Sequence, residues 1–262
     1  MRRWIVMFAL CIAALGARPV AARVNMLEPW SPGLDFATPQ TTWNHDVHMR
    51  TGFGGRRSTD LFELGYILTT PVSPDWEVGG GLNFLNLHNS SAFSGSGLSD
   101  LSLGAKYKLP RGYIPPALEV CGEAGLTLPT GNPDKGLGAG GAGIFAGGDF
   151  QGAMSDNVTG YAHLGFRAFT RGQDTQLGGI VEYTFGVKYL VDSEWLASTD
   201  VRGFDHGPDR RKGVRSDSYE EIYLAPGAVY RPHQLPAEFL GSILIGLTGP
   251  SYDLGLQLSA KF

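Results

Sequence analysis

Residues 251–262 read SYDLGLQLSAKF and alternate between two kinds of side chain. Because successive side chains of an extended chain point to opposite faces, the apolar residues share one face and the polar residues and glycine share the other. The apolar face carries Tyr252, Leu254, Leu256, Leu258, Ala260 and Phe262. A strand with a terminal aromatic residue and no capping element is expected to close a sheet whose apolar face contacts lipid. The stretch therefore predicts a membrane-spanning β-strand.

The other end of the sequence predicts export. Arg2 and Arg3 precede a short apolar run, and small residues lead up to Ala22, after which a signal peptidase would cut. The run is shorter than the roughly 20 residues that a spanning helix needs. We therefore expect a signal peptide at residues 1–22. Its removal leaves Cys121 as the one cysteine, so no internal disulfide is expected.

Composition favours a membrane β-protein. Glycine contributes 38 of the 262 residues and hydrophobic residues only 42%, and no apolar run after residue 22 approaches the length of a spanning helix. In a barrel, apolar residues that face lipid are diluted by polar residues that face the interior. The net charge of -4 argues against a nucleic-acid partner, because phosphate binding needs concentrated Lys and Arg.

A period of two predicts twelve strands along the chain. They fall within residues 43–53, 60–70, 76–84, 100–109, 118–128, 144–150, 161–167, 177–189, 195–203, 219–230, 239–247 and 251–262. Pro226 is an awkward member of the tenth strand, because proline has no N–H to donate to a ladder. The chemistry of the two faces predicts an all-β fold, a transmembrane antiparallel β-barrel of about twelve strands.

The predicted organisation has three parts. The signal peptide is followed by a proline-rich segment at residues 23–42, which is either a periplasmic plug or a disordered leader. The barrel spans residues 43–262. An even number of strands places both ends of the barrel on the periplasmic side, so the long polar loops around residues 88–97 and 205–218 are expected outside. The expected location is the bacterial outer membrane.

Two stretches resemble a known family. Residues 97–109 read GLSDLSLGAKYKL, and residues 126–140 read LTLPTGNPDKGLGAG. With the YILTTPVSPDWEVGGGL hairpin at residues 66–82, they resemble the family named for the meta-pathway of phenol degradation, whose members are labelled transporters. The resemblance implies an outer-membrane barrel that admits apolar or aromatic compounds. The basic loop at residues 205–218 departs from the family pattern.

The polar faces of the strands predict the residues of the barrel interior. They are Asp46, His48, Arg50, Glu63, Asp100, Lys106, Lys108, Glu119, Glu123, Arg167, Glu182, Lys188, Asp200, Arg202, Asp253 and Lys261. Barrels of eight strands are filled by side chains and those of 16 to 18 strands hold aqueous channels, so twelve strands leave a narrow lumen. The charges either line a polar passage and tune its selectivity or pair with one another and fill the interior.

Two functions fit this pattern. We expect a porin-like barrel for passive uptake of small solutes, apolar or aromatic ones among them. The alternative is a structural or surface-interaction barrel without transport, and a barrel lipase is a lesser one. Enzyme activity is not expected, because the mature histidines accompany no nucleophile motif. No metal or cofactor is expected either, since His45 and His48 are three apart on a strand and face opposite sides.

The expected partners are those of an outer-membrane protein. They are lipid, lipopolysaccharide, a small solute and, through the C-terminal strand, the machinery that assembles barrels; nucleic acid is not among them. A basic external loop carries Arg210, Arg211, Lys212 and Arg215. These residues either contact anionic lipopolysaccharide or form a solvated loop tip.

Overall fold

The computed structural model describes residues 44–53, 60–89, 94–110, 113–115, 117–135, 137–172, 175–211, 214–215, 217–248 and 253–262. The predicted signal peptide and the segment at residues 23–42 lie outside these ranges. Twelve long antiparallel strands make up the wall. They are β1 (Asn44–Phe53), β2 (Asp60–Ser73), β3 (Trp76–Asn89), β4 (Leu101–Lys108), β5 (Leu118–Leu128), β6 (Gly143–Ala153), β7 (Val158–Phe169), β8 (Ile180–Leu190), β9 (Trp195–His206), β10 (Tyr219–Tyr230), β11 (Glu238–Gly246) and β12 (Leu254–Lys261).

The first and last strands close the sheet into a barrel. β1 pairs with β12 from Asp46 opposite Lys261 to Phe53 opposite Leu254, and each strand also pairs with its neighbour in sequence. The predicted antiparallel barrel of twelve strands is therefore confirmed. Because β1 begins where β12 ends, the two strand ends lie on the same side of the membrane, the periplasmic side.

The outer wall is apolar and ends in aromatic rings at the periplasmic side. Trp76 stacks near Tyr107 with ring centroids 4.7 Å apart, and Trp195 stacks on Tyr230 at 4.6 Å. Trp195 keeps 44% of its surface exposed. Mid-wall residues are exposed as well, among them Leu126, Ile144, Leu164, Phe185 and Ile243. An apolar band with aromatic residues at its edge is the outer surface that a bilayer requires.

The wall has two irregular places. On β3, Phe84 is an extra residue between pairs that join Gly65 to Asn83 and Leu64 to Leu85, which makes a β-bulge. Pro226 lies opposite Thr199 of β9, but the ladder from β10 to β11 has no pair at that residue. Proline therefore interrupts one ladder and the strand remains continuous, because the other neighbour keeps its register.

The connections add short elements. β3 pairs with β4 only from Trp76 to Gly81, and beyond that point it pairs with a short strand, Ser94–Gly97. A 3-10 turn at Pro133–Lys135 lies in the connection from β5 to β6. Among the described residues, no helix is long and apolar enough to cross a bilayer.

Candidate functional site: the charged interior of the barrel

The structure places fourteen of the sixteen predicted interior residues in strands, with their side chains on the inward face. They are Asp46, His48, Arg50, Glu63, Lys106, Lys108, Glu119, Glu123, Arg167, Glu182, Lys188, Asp200, Arg202 and Lys261. They alternate along each strand with residues of the apolar outer wall, as a pleated wall between two environments requires. The remaining two residues, Asp100 and Asp253, lie elsewhere.

Asp100 and Asp253 were predicted to face the interior, and both lie in connections. Asp253 is exposed just before β12. The Asp100 carboxylate accepts the backbone N–H of Gly131 at 2.8 Å and of Ala139 at 2.6 Å, so it anchors the connection from β5 to β6. Burial raises the pKa of the Asp100 carboxyl, and these two hydrogen bonds oppose that shift.

One interior group is centred on Lys106. Its ammonium lies 3.7 Å from the Asp149 carboxylate, whose other oxygen is 2.7 Å from His163 Nδ1. Glu77 of β3 and Glu123 of β5 are directly opposite Lys106 in the two neighbouring ladders. Lys106 has no exposed surface and Asp149 has 1%. The Lys106 ammonium therefore lies among carboxylates from three strands, and Asp149 has His163 as a second partner.

A second group crosses the interior. The Arg202 guanidinium of β9 donates to the Asp200 carboxylate through Nε at 2.6 Å and through a terminal nitrogen at 3.2 Å. Its other terminal nitrogen donates to Gln257 Oε1 at 3.0 Å, on β12, three strands further around the wall. The Tyr161 hydroxyl donates to the same carboxylate at 2.8 Å. Arg202 therefore joins two distant parts of the wall.

Little space remains beside the contact between Arg202 and Gln257. A cavity of about 10 Å³ is lined by Arg50, Arg202, Phe204, Tyr223, Leu244 and Gln257. That volume holds about one water molecule. Arg202 itself is 2% exposed. In this conformation the interior around Arg202 is therefore narrow.

Paired charges continue towards both ends. Nearer the external end, Arg50 contacts Glu63 at 2.6 Å, and Arg167 pairs with Glu182. Nearer the periplasmic end, Lys108 contacts Glu119 at 2.9 Å. Buried charges in proteins are stable when they are paired in this way. Of the two predicted arrangements, the described contacts are those of the filled interior.

Sequence reasoning missed several members of these groups. Asp149 lies in the glycine-rich stretch GGDFQG, where small residues hide the alternation. Glu77 directly precedes the glycine-rich part of β3, where small residues hide the alternation in the same way. Gln151, Tyr161 and Gln257 are uncharged partners that a search for charge alone does not select. Within the described ranges, no cluster of three or more His, Cys, Asp or Glu residues is arranged to hold a metal ion.

The catalytic alternative depended on histidines, and the structure describes the side chains of four of them. His206 stacks on Tyr219 with ring centroids 4.3 Å apart. His233 is exposed in the connection from β10 to β11, where its Nε2 lies 3.0 Å from Ser193 Oγ.

The other two described histidines face the interior. His163 faces the interior, where it bonds Asp149. His48 also faces inward, where its Nε2 lies 2.9 Å from Asn83 Oδ1. The side chain of His88 lies outside the described residues.

Comparisons with known proteins bear on this barrel. The model of the family described as "Putative MetA-pathway of phenol degradation" matches residues 38–262. The chain belongs to this family. The match covers every strand of the wall, so the predicted resemblance to the phenol-degradation family is confirmed. Among curated proteins, none matches this chain.

Solved structures share the fold of this phenol-degradation family member. The COG4313 outer membrane channel from Pseudomonas putida F1 is similar with a TM-score of 0.72 and 15% identity, over 86% of this chain and 97% of that one. The KdgM porin is similar with a TM-score of 0.51 and 7% identity, over 84% of this chain and 98% of that one. The fold of this chain is that of the outer-membrane barrels to which it is similar.

Proposed function

We propose that this member of the phenol-degradation family is an outer-membrane channel for the passive uptake of small solutes. The observation that carries the proposal is the contrast between the two surfaces of the wall. Charged side chains follow the interior from Asp46 and Lys261 at the periplasmic end to Arg50 and Arg167 near the external end. Apolar side chains cover the outside. A polar interior that is enclosed by a lipid-embedded wall is suited to the passage of solutes across the membrane.

The resting channel is narrow in this proposal. Asp200, Arg202 and Gln257 bridge the interior, and Lys106 and Asp149 are shielded from solvent. A solute therefore passes only when these side chains change rotamer and their pairs separate. The alternative function, a structural barrel without transport, is favoured by the same ion pairs, because a filled interior also stiffens the wall.

The solute class follows from the family and from the interior together. The family description names phenol degradation, which supports small aromatic compounds. An interior rich in carboxylates favours aromatic solutes that carry a hydrogen-bond donor over pure hydrocarbons, because a hydrocarbon would leave the displaced charges without partners. Export by the signal peptide at residues 1–22 remains part of the proposal, as does insertion through the C-terminal strand.

We expect a preference for cations in the ionic current. Carboxylates outnumber cationic side chains on the inward face of the described strands. The carboxylates are Asp46, Glu63, Glu77, Glu119, Glu123, Asp149, Glu182, Asp200, Glu221 and Glu238, and the cations are Arg50, Lys106, Lys108, Arg167, Lys188, Arg202 and Lys261. The reversal potential across a planar bilayer under a KCl gradient measures the preference. A reversal potential whose sign indicates a preference for anions would contradict the prediction.

Solute uptake has its own test. Tyramine is a phenol that is charged at neutral pH and therefore crosses bare lipid slowly. Liposomes that contain the protein are expected to take up tyramine faster than protein-free liposomes, and faster than they take up 6-aminohexanol, an aliphatic control of the same charge. Equal uptake of the two amines would remove the aromatic preference. If the liposomes take up neither amine faster than protein-free liposomes and the planar bilayer shows no current, the structural barrel is favoured.

A further inference from the structure

A small sheet stands beyond the barrel, formed by the loops that follow β7 and β9. Thr175–Gln176 pairs with Arg210–Arg211, which in turn pairs with Val214–Arg215. Two hydrogen bonds join the loops at their base. The Gly178 N–H donates to the Asp209 carboxylate at 2.9 Å, and the Gly207 N–H donates to the Gly179 carbonyl at 2.7 Å. The three short strands therefore hold their side chains in a fixed register.

This register places Gln176, Arg210 and Arg215 in a row on one face of the small sheet. Arg210 is directly opposite Gln176 on one side and directly opposite Arg215 on the other. All three side chains are exposed. Within the part of the chain that the structure describes, none of the three forms an ion pair or a side-chain hydrogen bond. We name these three residues the arginine row. Lys212, predicted with the basic loop, lies outside the described residues.

Two like charges directly opposite one another destabilise a strand pair. An anion between Arg210 and Arg215 would remove that repulsion. Guanidinium groups bind phosphate oxygens through paired hydrogen bonds, and the Gln176 amide supplies further donors. We propose that the arginine row binds the phosphate groups of lipopolysaccharide. The inference does not depend on solute passage, because the row lies outside the barrel wall.

The position of the row fits a lipid partner. Arg210 follows the end of β9 by four residues and Arg215 precedes the start of β10 by four, so each lies at most about 13 Å beyond the wall. The connections concerned are at the end opposite to the periplasmic one, which faces the lipopolysaccharide leaflet. This height is within reach of the headgroup region.

The acidic residues of the same loop do not neutralise the row. Asp205 and Glu220 face each other on the outer wall at the rim of the barrel, below the row. Glu220 accepts a hydrogen bond from the Tyr183 hydroxyl at 2.7 Å. Asp209 accepts one from Gly178. Asp217, two residues after Arg215, is exposed and forms no ion pair with the row within the described residues. The row therefore keeps its positive charge for an external anion.

The test uses the full-length folded protein in detergent and measures its affinity for lipopolysaccharide. The double variant Arg210→Gln/Arg215→Gln is expected to bind at least tenfold more weakly, because each arginine near an anionic lipid surface contributes about fivefold. The loss should be much smaller when the lipopolysaccharide has been dephosphorylated. The variant Arg210→Lys/Arg215→Lys keeps both charges but loses the paired hydrogen bonds, so its affinity should lie between those of the unchanged protein and the glutamine variant.

Arg171→Gln is the matched control, because Arg171 is exposed in the same loop as Gln176 and outside the row. Its affinity should equal that of the unchanged protein. Far-UV circular dichroism and thermal melting show whether each variant is folded. Equal affinity of the double variant and the unchanged protein for phosphorylated lipopolysaccharide would overturn the proposal. Inorganic phosphate that binds the row as tightly as lipopolysaccharide does would overturn the lipid assignment.

Discussion

The double variant Asp200→Ala/Arg202→Ala is expected to raise the single-channel conductance severalfold. The Arg202 side chain joins β9 to Gln257 on β12 and leaves space for about one water molecule beside it. Removing both side chains widens the interior at the level of Arg202, and neither charge of the pair is left without its partner. Single-channel recording in planar bilayers measures the effect. Arg202→Ala alone is a poorer test, since an unpaired buried Asp200 would cost about 3–5 kcal/mol of stability.

Arg231→Ala/Glu238→Ala is the matched control for this variant. That pair also joins an arginine to a carboxylate, at 2.9 Å, but it is half-exposed and lies at the periplasmic rim. Its loss should leave the conductance nearly unchanged, because it does not cross the interior. If the conductance of the first double variant equals that of the unchanged protein, the crossing at Arg202 is not the constriction.

Alternation was sufficient to predict the wall and the direction of its side chains. Each strand of a membrane barrel separates two environments, so the sequence of β4 or β12 has to alternate whatever lies next to it. Lys106 and Lys108 could be assigned to the inward face for that reason. Even β10, with Pro226, keeps its period of two.

Alternation does not determine how far along the barrel axis an interior side chain lies, or which other side chain it contacts. Arg202 and Gln257 are distant in sequence, and their contact depends on how the strands are staggered around the closed barrel. Nor does it determine where a strand begins, which is why Asp100 and Asp253 were assigned to the interior and lie in connections. In both places a polar residue directly precedes an alternating run, and only the hydrogen-bond ladder shows that pairing starts one residue later.

Lys106→Met is expected to give a large loss of stability. The Lys106 ammonium is buried opposite Glu77 and Glu123 and lies 3.7 Å from Asp149. Its removal leaves the carboxylates of buried Glu77 and of Glu123 without the cation opposite them, which costs about 3–5 kcal/mol, whereas Asp149 keeps His163 as a partner at 2.7 Å. The free energy of unfolding in urea, measured in detergent or lipid vesicles, reports the loss. Lys108→Met is the control on the same strand and face.

Lys108 is two residues away and differs in its surroundings. It pairs with Glu119 at 2.9 Å, and both side chains keep some contact with solvent. Glu119 also accepts a hydrogen bond from the Gln151 amide at 2.6 Å, so it keeps a partner when the lysine is lost. The loss for Lys108→Met should therefore be nearer to that of a partly exposed pair, about 1 kcal/mol.

A second substitution separates charge from packing at Lys106. Adding Glu123→Gln to Lys106→Met removes one of the carboxylates opposite the lysine and leaves the Asp149–His163 pair intact. The double variant is expected to be more stable than Lys106→Met alone, because fewer buried charges lack a partner. A cavity left by the lysine stem would be the same in both variants, so it cannot produce that recovery. Equal losses for Lys106→Met and the double variant would show that the lysine acts through packing instead of charge.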